Sequence, residues 1–336
     1  MAVLGVGLAG CGVSEQPGKT SVEDTGQAGG SLVIYSGHSD NVLGPLVKSL
    51  EEATGVKVEV RYGDDAQLPA QILAEGAGTE ADLFFLKDAS GFGPLVEAGR
   101  LQTLPQKTLR RVPAKYHGKD GTWVGVFGGV RVLVYDPGQV GQVPTSVAEL
   151  VDTRWKGKVG YAPSKESFQF LVTAMRNAWG DQKTRQWLEA MKANGSKAYM
   201  DNTDLLDAVD RGEVALGLIQ QVFWHSKVAE VGQDKVRSRI AFLADDDLGG
   251  IIKVTSVGIP EGSDRVEAAR KAVAYLLSPS AQKYFAEVRK QYPLIGRAIT
   301  TQDLPSLDSV QGTNMDLSDP DSLVKTQQLL REVGML

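Results

Sequence analysis

In the stretch "VIYSGHSDN", residues 33–41, an apolar run ends abruptly in Ser36, Gly37, His38, Ser39 and Asp40. An imidazole at such a place can hold a metal ion through a ring nitrogen or hydrogen-bond a ligand oxygen. Further polar clusters close other apolar runs in the same way. They are Gly63, Asp64 and Asp65; Lys87, Asp88 and Ser90; Ser164, Lys165, Glu166 and Ser167; Asn202 and Thr203; and Gln220 and Gln221. The set is polar, mixed in charge and poor in aromatics.

The runs that carry these clusters read as alternating strands and helices. "SLVIYS" is β-branched and aromatic, as a short strand requires. Val42, Leu43, Leu46, Val47 and Leu50 then recur at helical spacing, with Ser39 or Asp40 as a cap and Gly55 as a stop. "VKVEVRYG" is a strand, "AQLPAQILAEGAG" a helix, "ADLFFLKDA" a buried strand and "GFGPLVEAGRL" a short helix. After "WVGVFGGVRVLVYDP" a second run begins with the strand "GKVGYAP". It continues through the helices "SFQFLVTAMRNAWG" and "DQKTRQWLEAMKANG", the latter capped by Asp181 and closed by Gly195. The strand "SKAYM", the helix "NTDLLDAVDRGE", the strand "VALGLIQQ" and the helix "VFWHSKVAEVG" follow. "GGIIKVTSVGIPEG" returns as a strand, and helices run from Asp264 to about Val288. Two such runs predict an α/β protein of two lobes, each a mostly parallel sheet flanked by helices, with a cleft between them. Open α/β sheets bind ligands beyond the carboxyl ends of their strands, where helix N-termini offer free N–H groups to anions. The polar clusters share one cleft if the lobes face each other.

A 336-residue chain with 42% hydrophobic residues is long enough for two lobes, and its net charge of −5 argues against a generic nucleic-acid binder. The single cysteine, Cys11, excludes an internal disulfide. It stands in "LAGC", which resembles the lipobox of bacterial lipoproteins, after ten small or apolar residues. Residues 1–11 are therefore expected to be a lipoprotein signal segment, with lipid attached at Cys11, and residues 12–30 a flexible tether. The chain would then sit outside the cell, held to the membrane by its lipid alone.

The stretches "VIYSGHSDNVLGPLVKSLEEATGVKVEVRYGDDAQLPAQILAEG", "WVGVFGGVRVLVYDP", "DTRWKGKVGYAPSKESFQFLVTAMR", "RGEVALGLI" and "YLLSPSAQKYFAEVRKQYPLI" resemble the ferric-iron-binding proteins of bacterial ABC importers. The resemblance implies a two-lobed, type II periplasmic-binding-protein fold, with residues 31–130 and 257–305 in lobe 1 and 131–256 and 306–336 in lobe 2. It implies a monomeric binding protein, not an enzyme, that closes on cargo and delivers it to a permease and its ATPase. The implied cargo is iron(III), held with a synergistic anion, or an iron chelate, and no resident cofactor is implied. His38 matches the family's histidine ligand, while the acid's place falls at Lys87, beside Asp88. The family's adjacent tyrosines fall at Val222 and Phe223, so the pair is missing. A ferric ion prefers anionic oxygen ligands, and the remaining candidates, His38, Asp88, Tyr199 and Glu166, replace phenolates poorly. Arg131, Asn202 and Ser164 to Ser167 match anion-contacting positions; with Lys87 and Lys165 they favour a metal-free anion, an organophosphate or a carboxylate.

The expected ligand-binding set is therefore His38, Ser39, Lys87, Asp88, Arg131, Ser164, Lys165, Ser167, Asn202, Gln220 and Gln221, with His38 as the candidate metal ligand. One of Gln220 and Gln221 should face the cleft and the other the interior. Phe223 and Trp224 read as helix core, either of which can wall an organic ligand. His225 reads as helix surface, His117 as an exposed turn and Tyr292 as packing. A hydrolase on the same scaffold is the alternative class, but no G-x-S-x-G, H-E-x-x-H or P-loop motif supports it.

Overall fold

The computed structural model describes residues 30–65, 67–244, 246–295 and 320–336. The expected signal segment with Cys11, the tether up to residue 29 and residues 296–319 lie outside the described residues. The first elements are β1 (Leu32–Ser36), α1 (Asp40–Leu43), α2 (Val47–Thr54), β2 (Val58–Tyr62), α3 (Leu68–Glu75), β3 (Leu83–Leu86), α4 (Gly93–Glu97) and α5 (Gln106–Leu109). The long β4 (Trp123–Tyr135) leads to β5 (Val159–Tyr161), α6 (Glu166–Trp179), α7 (Asp181–Ala193), β6 (Lys197–Ala198) and α8 (Asn202–Asp210). Then come β7 (Leu216–Gln220), α9 (Gln221–Val231) and β8 (Arg239–Ala241). The chain returns through β9 (Ile252–Gly258) to α10 (Val266–Leu276), α11 (Pro279–Glu287) and β10 (Tyr292–Pro293), and α12 (Pro320–Glu332) follows.

The strands follow the order β2-β1-β3-β9-β4-β7-β5-β6, with β8 and β10 also paired to β4. β1 is parallel to β2 and β3, and β5 is parallel to β6 and β7. The outer strands thus match the expected parallel sheets, but the centre is antiparallel: β9 runs against both β3 and β4, and β7 against β4. The reason is topological. A chain that crosses to a second lobe on β4 must come back on β9, so the two crossings oppose each other.

Each half of β4 belongs to a different core. Val124, Val126 and Phe127 pack with Leu32, Ile34, Phe85, Val257 and Phe285. Leu133 packs with Trp155, Phe168, Leu171 and Leu216, and Val132 and Val134 pack with Leu205, Val209 and Trp224 on the other face. This alternation is what a strand buried on both faces requires. α12 adds Leu329, Leu330 and Val333 to the Trp155 core.

Two local predictions resolve differently. The first predicted helix is split by the turn Gly44–Leu46, where Pro45 lacks an N–H, and it ends at Gly55 with φ of 82°. Ser39 precedes it without capping; its hydroxyl donates to Asn41 Oδ1 at 2.8 Å. Asp181 sits inside the first turn of α7, after Gly180, and pairs with Arg176 at 2.8 Å.

Candidate ligand-binding cleft

The turns that end the strands converge on a cleft of about 590 Å³, within the usual range for a small-molecule site. From the first lobe come His38, Ser39, Asn41, Val42 and Lys87, and from the second Ser164, Lys165, Glu166, Ser167, Asn202, Gln220, Val222, Phe223 and Ser226. Phe127 and Gly129 of β4, Lys253 and Thr255 of β9, and Arg289 and Gln291 after α11 complete it.

Three turns of the first lobe are stitched together. Asp65, after β2, accepts a hydrogen bond from the Lys87 backbone N–H after β3 at 2.8 Å. It reaches that N–H because residue 37, after β1, is glycine: a Cβ there would lie 1.9 Å from Asp65 Oδ1. Burial, partly offset by Lys253 and by this hydrogen bond, pushes the Asp65 carboxyl up to about 6.

His38 Nε2 lies 3.0 Å from Thr255 Oγ1, and its ring packs on Phe85 and Phe127 at centroid distances of 5.2 and 5.6 Å. Phe127 follows an irregularity in the β4–β9 register, and the bulged Val126 carbonyl accepts from Gln282 Nε2 at 2.7 Å. Burial, reinforced by Lys87, Lys253 and Arg289, lowers the His38 pKa to about 3, so the imidazole is neutral at physiological pH.

Lys253 is the centre of charge. Its ammonium is 3.0 Å from Glu166 and 3.8 Å from Asp88, and Glu166 is 3.9 Å from Lys87. Burial acts to lower the Lys253 pKa, but Asp88, Glu166 and Asp65 outweigh it, and the net direction is upward. Burial likewise opposes ionisation of Glu166, and Lys253 and Lys87 reverse that, holding its carboxyl below the ordinary range. Among the described residues lining the cleft, four side chains are fixed cations, Lys87, Lys165, Lys253 and Arg289, and Glu166 is the only carboxylate. Phe223 and Val222 form an apolar wall beside them.

Of the residues expected from sequence, His38, Ser39, Lys87, Ser164, Lys165, Ser167, Asn202 and Gln220 line this cleft. Three do not line it. Gln221 is fully buried; its Oε1 accepts from the Val130 N–H at 2.8 Å and its Nε2 donates to the Lys290 carbonyl at 3.0 Å, so its amide is spent on the protein. Asp88 lies behind the lining, accepting from the Ser90 N–H at 2.8 Å and facing Lys253. Arg131 is also behind the lining, 4% exposed, with Nη1 unpartnered. Burial lowers its pKa to about 9, which leaves it charged at neutral pH.

Tyr199 is turned away, its hydroxyl donating to Glu213 at 2.9 Å. His225 is buried against Trp224 rather than on the helix surface, and His117 is half-buried, its Nδ1 3.0 Å from the Gly118 carbonyl. Tyr292 is packing, buried with Val130.

Sequence reasoning missed Lys253 and Thr255 because they sit inside a strand, where alternation signals packing. It missed Arg289 and Gln291 because they flank Lys290, whose φ of 52° reorients the chain after α11. No group of three or more His, Cys, Asp or Glu converges on a metal-binding geometry among the described residues.

The family model of the bacterial extracellular solute-binding proteins matches residues 78–316. The chain is 28% identical over 310 residues to the major ferric iron-binding protein of Neisseria meningitidis, covering 90% of this chain and 93% of that protein. It is 26% identical over 308 residues to an Fe(3+)-binding periplasmic protein of Serratia marcescens, covering 91% and 90%. Among solved structures it resembles iron-bound HitA from Pseudomonas aeruginosa, with a TM-score of 0.82, 28% identity and coverage of 90% and 99%. A Trichodesmium protein solved with iron and citrate has a TM-score of 0.79 at 23% identity, covering 91% of this chain and all of that one, a likeness of fold alone.

Proposed function

The chain belongs to the bacterial extracellular solute-binding proteins, and we propose that it captures a small anionic cargo for an ABC importer. It is a binding protein and not an enzyme. One observation carries the choice of cargo: among the described residues, the cleft sets Lys87, Lys165, Lys253 and Arg289 against a single carboxylate, Glu166, beside an apolar wall of Val222 and Phe223. A bare ferric ion needs anionic oxygen around it, and four cations repel it. An oxyanion is the reverse case: ammonium groups, the guanidinium and the N-terminus of α6 all favour it. The cargo is then a carboxylate or phosphate ester, either free or as the outer face of an anionic ferric chelate.

In this reading His38 is neutral and hydrogen-bonds a cargo oxygen. Arg131 adds a buried positive field behind the lining. Cargo bridges the lobes and stabilises their closed arrangement through its differential affinity, with β4 and β9 as the crossing strands. Among the described residues no helix is long and apolar enough to cross a membrane. Attachment is proposed through lipid at Cys11, with a permease and its ATPase as partners and the binding protein acting as a monomer.

The test is thermal stabilisation of the metal-stripped protein by ferric chloride, citrate, ferric citrate and a panel of phosphate esters. Stabilisation by citrate or a phosphate ester alone supports a metal-free cargo. Stabilisation by ferric citrate but not by citrate supports the chelate. Stabilisation by free ferric ion, lost in His38→Ala, would overturn the anionic reading.

A further inference from the structure

We propose that Glu166 is an internal stand-in for the cargo's acid group, reaching from the second lobe to Lys253 on the crossing strand β9 and to Lys87 of the first lobe until an anionic cargo takes its place. The inference rests on the reading of the cleft as an anion site and names the residue that sets its terms of entry.

Three features converge. Glu166 is the first residue of α6, in the second lobe, whereas Lys87 follows β3 in the first and Lys253 lies on the returning strand β9. The 3.9 Å contact to Lys87 therefore spans the cleft, while the 3.0 Å contact to Lys253 ties the start of α6 to the crossing strand. The carboxylate sits in the field of Lys253, Lys87 and Lys165, from which a cargo acid would also gain.

The pair is also built to be exchanged. The Glu166 side chain is 54% exposed, so water and solutes reach it, while Lys253 is only 10% exposed. A buried ammonium left alone would be costly. Lys253 is not left alone when Glu166 departs, because the largely buried Asp88 stays 3.8 Å away. As the first residue of its helix, Glu166 can swing outward without breaking a helical hydrogen bond, and its charge remains favourable near the N-terminus of α6.

The stand-in has two consequences. It holds the lobes together before cargo arrives, and it makes each cargo acid compete with a tethered carboxylate. A cargo with several acid groups competes better than one with a single group, so Glu166 determines charge selectivity.

The decisive experiment measures lobe separation without cargo. Spin labels at Glu97→Cys in α4 and Gln182→Cys in α7, both exposed positions, report the distance between lobes when Cys11 is replaced by serine. Glu166→Gln is expected to lengthen the mean distance, and 1 M sodium chloride (about a 3 Å screening length) to shift the unsubstituted protein the same way. Identical distance distributions in the two chains would overturn the latch. Calorimetric titration with citrate is expected to show about tenfold tighter binding to Glu166→Gln, equivalent to about 1.4 kcal/mol. Equal or weaker citrate binding by Glu166→Gln overturns the stand-in role. Binding of free ferric ion alone, with Glu166→Gln still opening the lobes, sinks the anionic cargo but leaves the latch in place.

Discussion

His38 shows how far a residue's surroundings decide its chemistry. By position it is a metal-ligand candidate, yet Lys87, Lys253 and Arg289 face it and its ring is packed on two phenylalanines. Its pKa falls from 6.5 to about 3, so between those values the unfolded chain binds the proton more readily than the native one. The stability this neutral imidazole contributes is complete above about pH 6.5 and is lost as pH falls toward 3. His38→Gln keeps a hydrogen-bonding partner for Thr255 but does not titrate. Urea unfolding at pH 7.5 and pH 5 should show the unsubstituted protein losing about 2 kcal/mol relative to the variant, since each pH unit across such a window is worth about 1.4 kcal/mol. Asp65 titrates in the same window with the opposite sign, but it is present in both chains and cancels in the comparison. Parallel pH profiles would show that the imidazole protonates freely in the native state.

At the scale of elements, most strands and helices were legible because their periodicity is long enough to register. β1 to β3, β4, β7 and β9 each carry an unbroken apolar or alternating run. β8 and β10, of three and two residues, carry no period at all; their pairing to β4 is decided by the tertiary fold. The polar turns after the strands were legible as a group, but which member faces the cleft was not. Gln220 and Gln221 are adjacent, and only the handover from β7 to α9 decides that the second of them ties α9 to β4 and to Lys290. The stitching of the first lobe's turns was equally hidden, because Gly37, Asp65 and Lys87 are far apart in sequence. Its prediction is sharp. Gly37→Ala places a methyl group 1.9 Å from Asp65 Oδ1, so Asp65 must leave and the Lys87 backbone N–H loses its acceptor. We expect about 1–3 kcal/mol of destabilisation from the displaced packing, and weaker citrate binding as Lys87 loses its position. Unfolding and titration measured on one preparation check both, and unchanged values for both would mean the turns are placed independently.

For the whole molecule, the consequence of two crossing strands is cooperativity. β4 contributes Val124, Val126 and Phe127 to the first core and Val132, Leu133 and Val134 to the second. The return segment does the same, with Ile251 in the second core and Val257 in the first. Neither core can dissolve without stripping one end of a strand whose other end is packed in its neighbour. β4 pairs along its length with β9, β7, β8 and β10, so that loss would propagate through one continuous ladder. The two lobes should therefore unfold in a single calorimetric transition, with calorimetric and van't Hoff enthalpies in agreement. Cargo that bridges the lobes should move that transition as a unit, by about 2.7 kcal/mol at a hundredfold excess over Kd. Two resolved transitions, only one of them shifted by cargo, would mean that the crossings are loose tethers and that each lobe keeps its own stability.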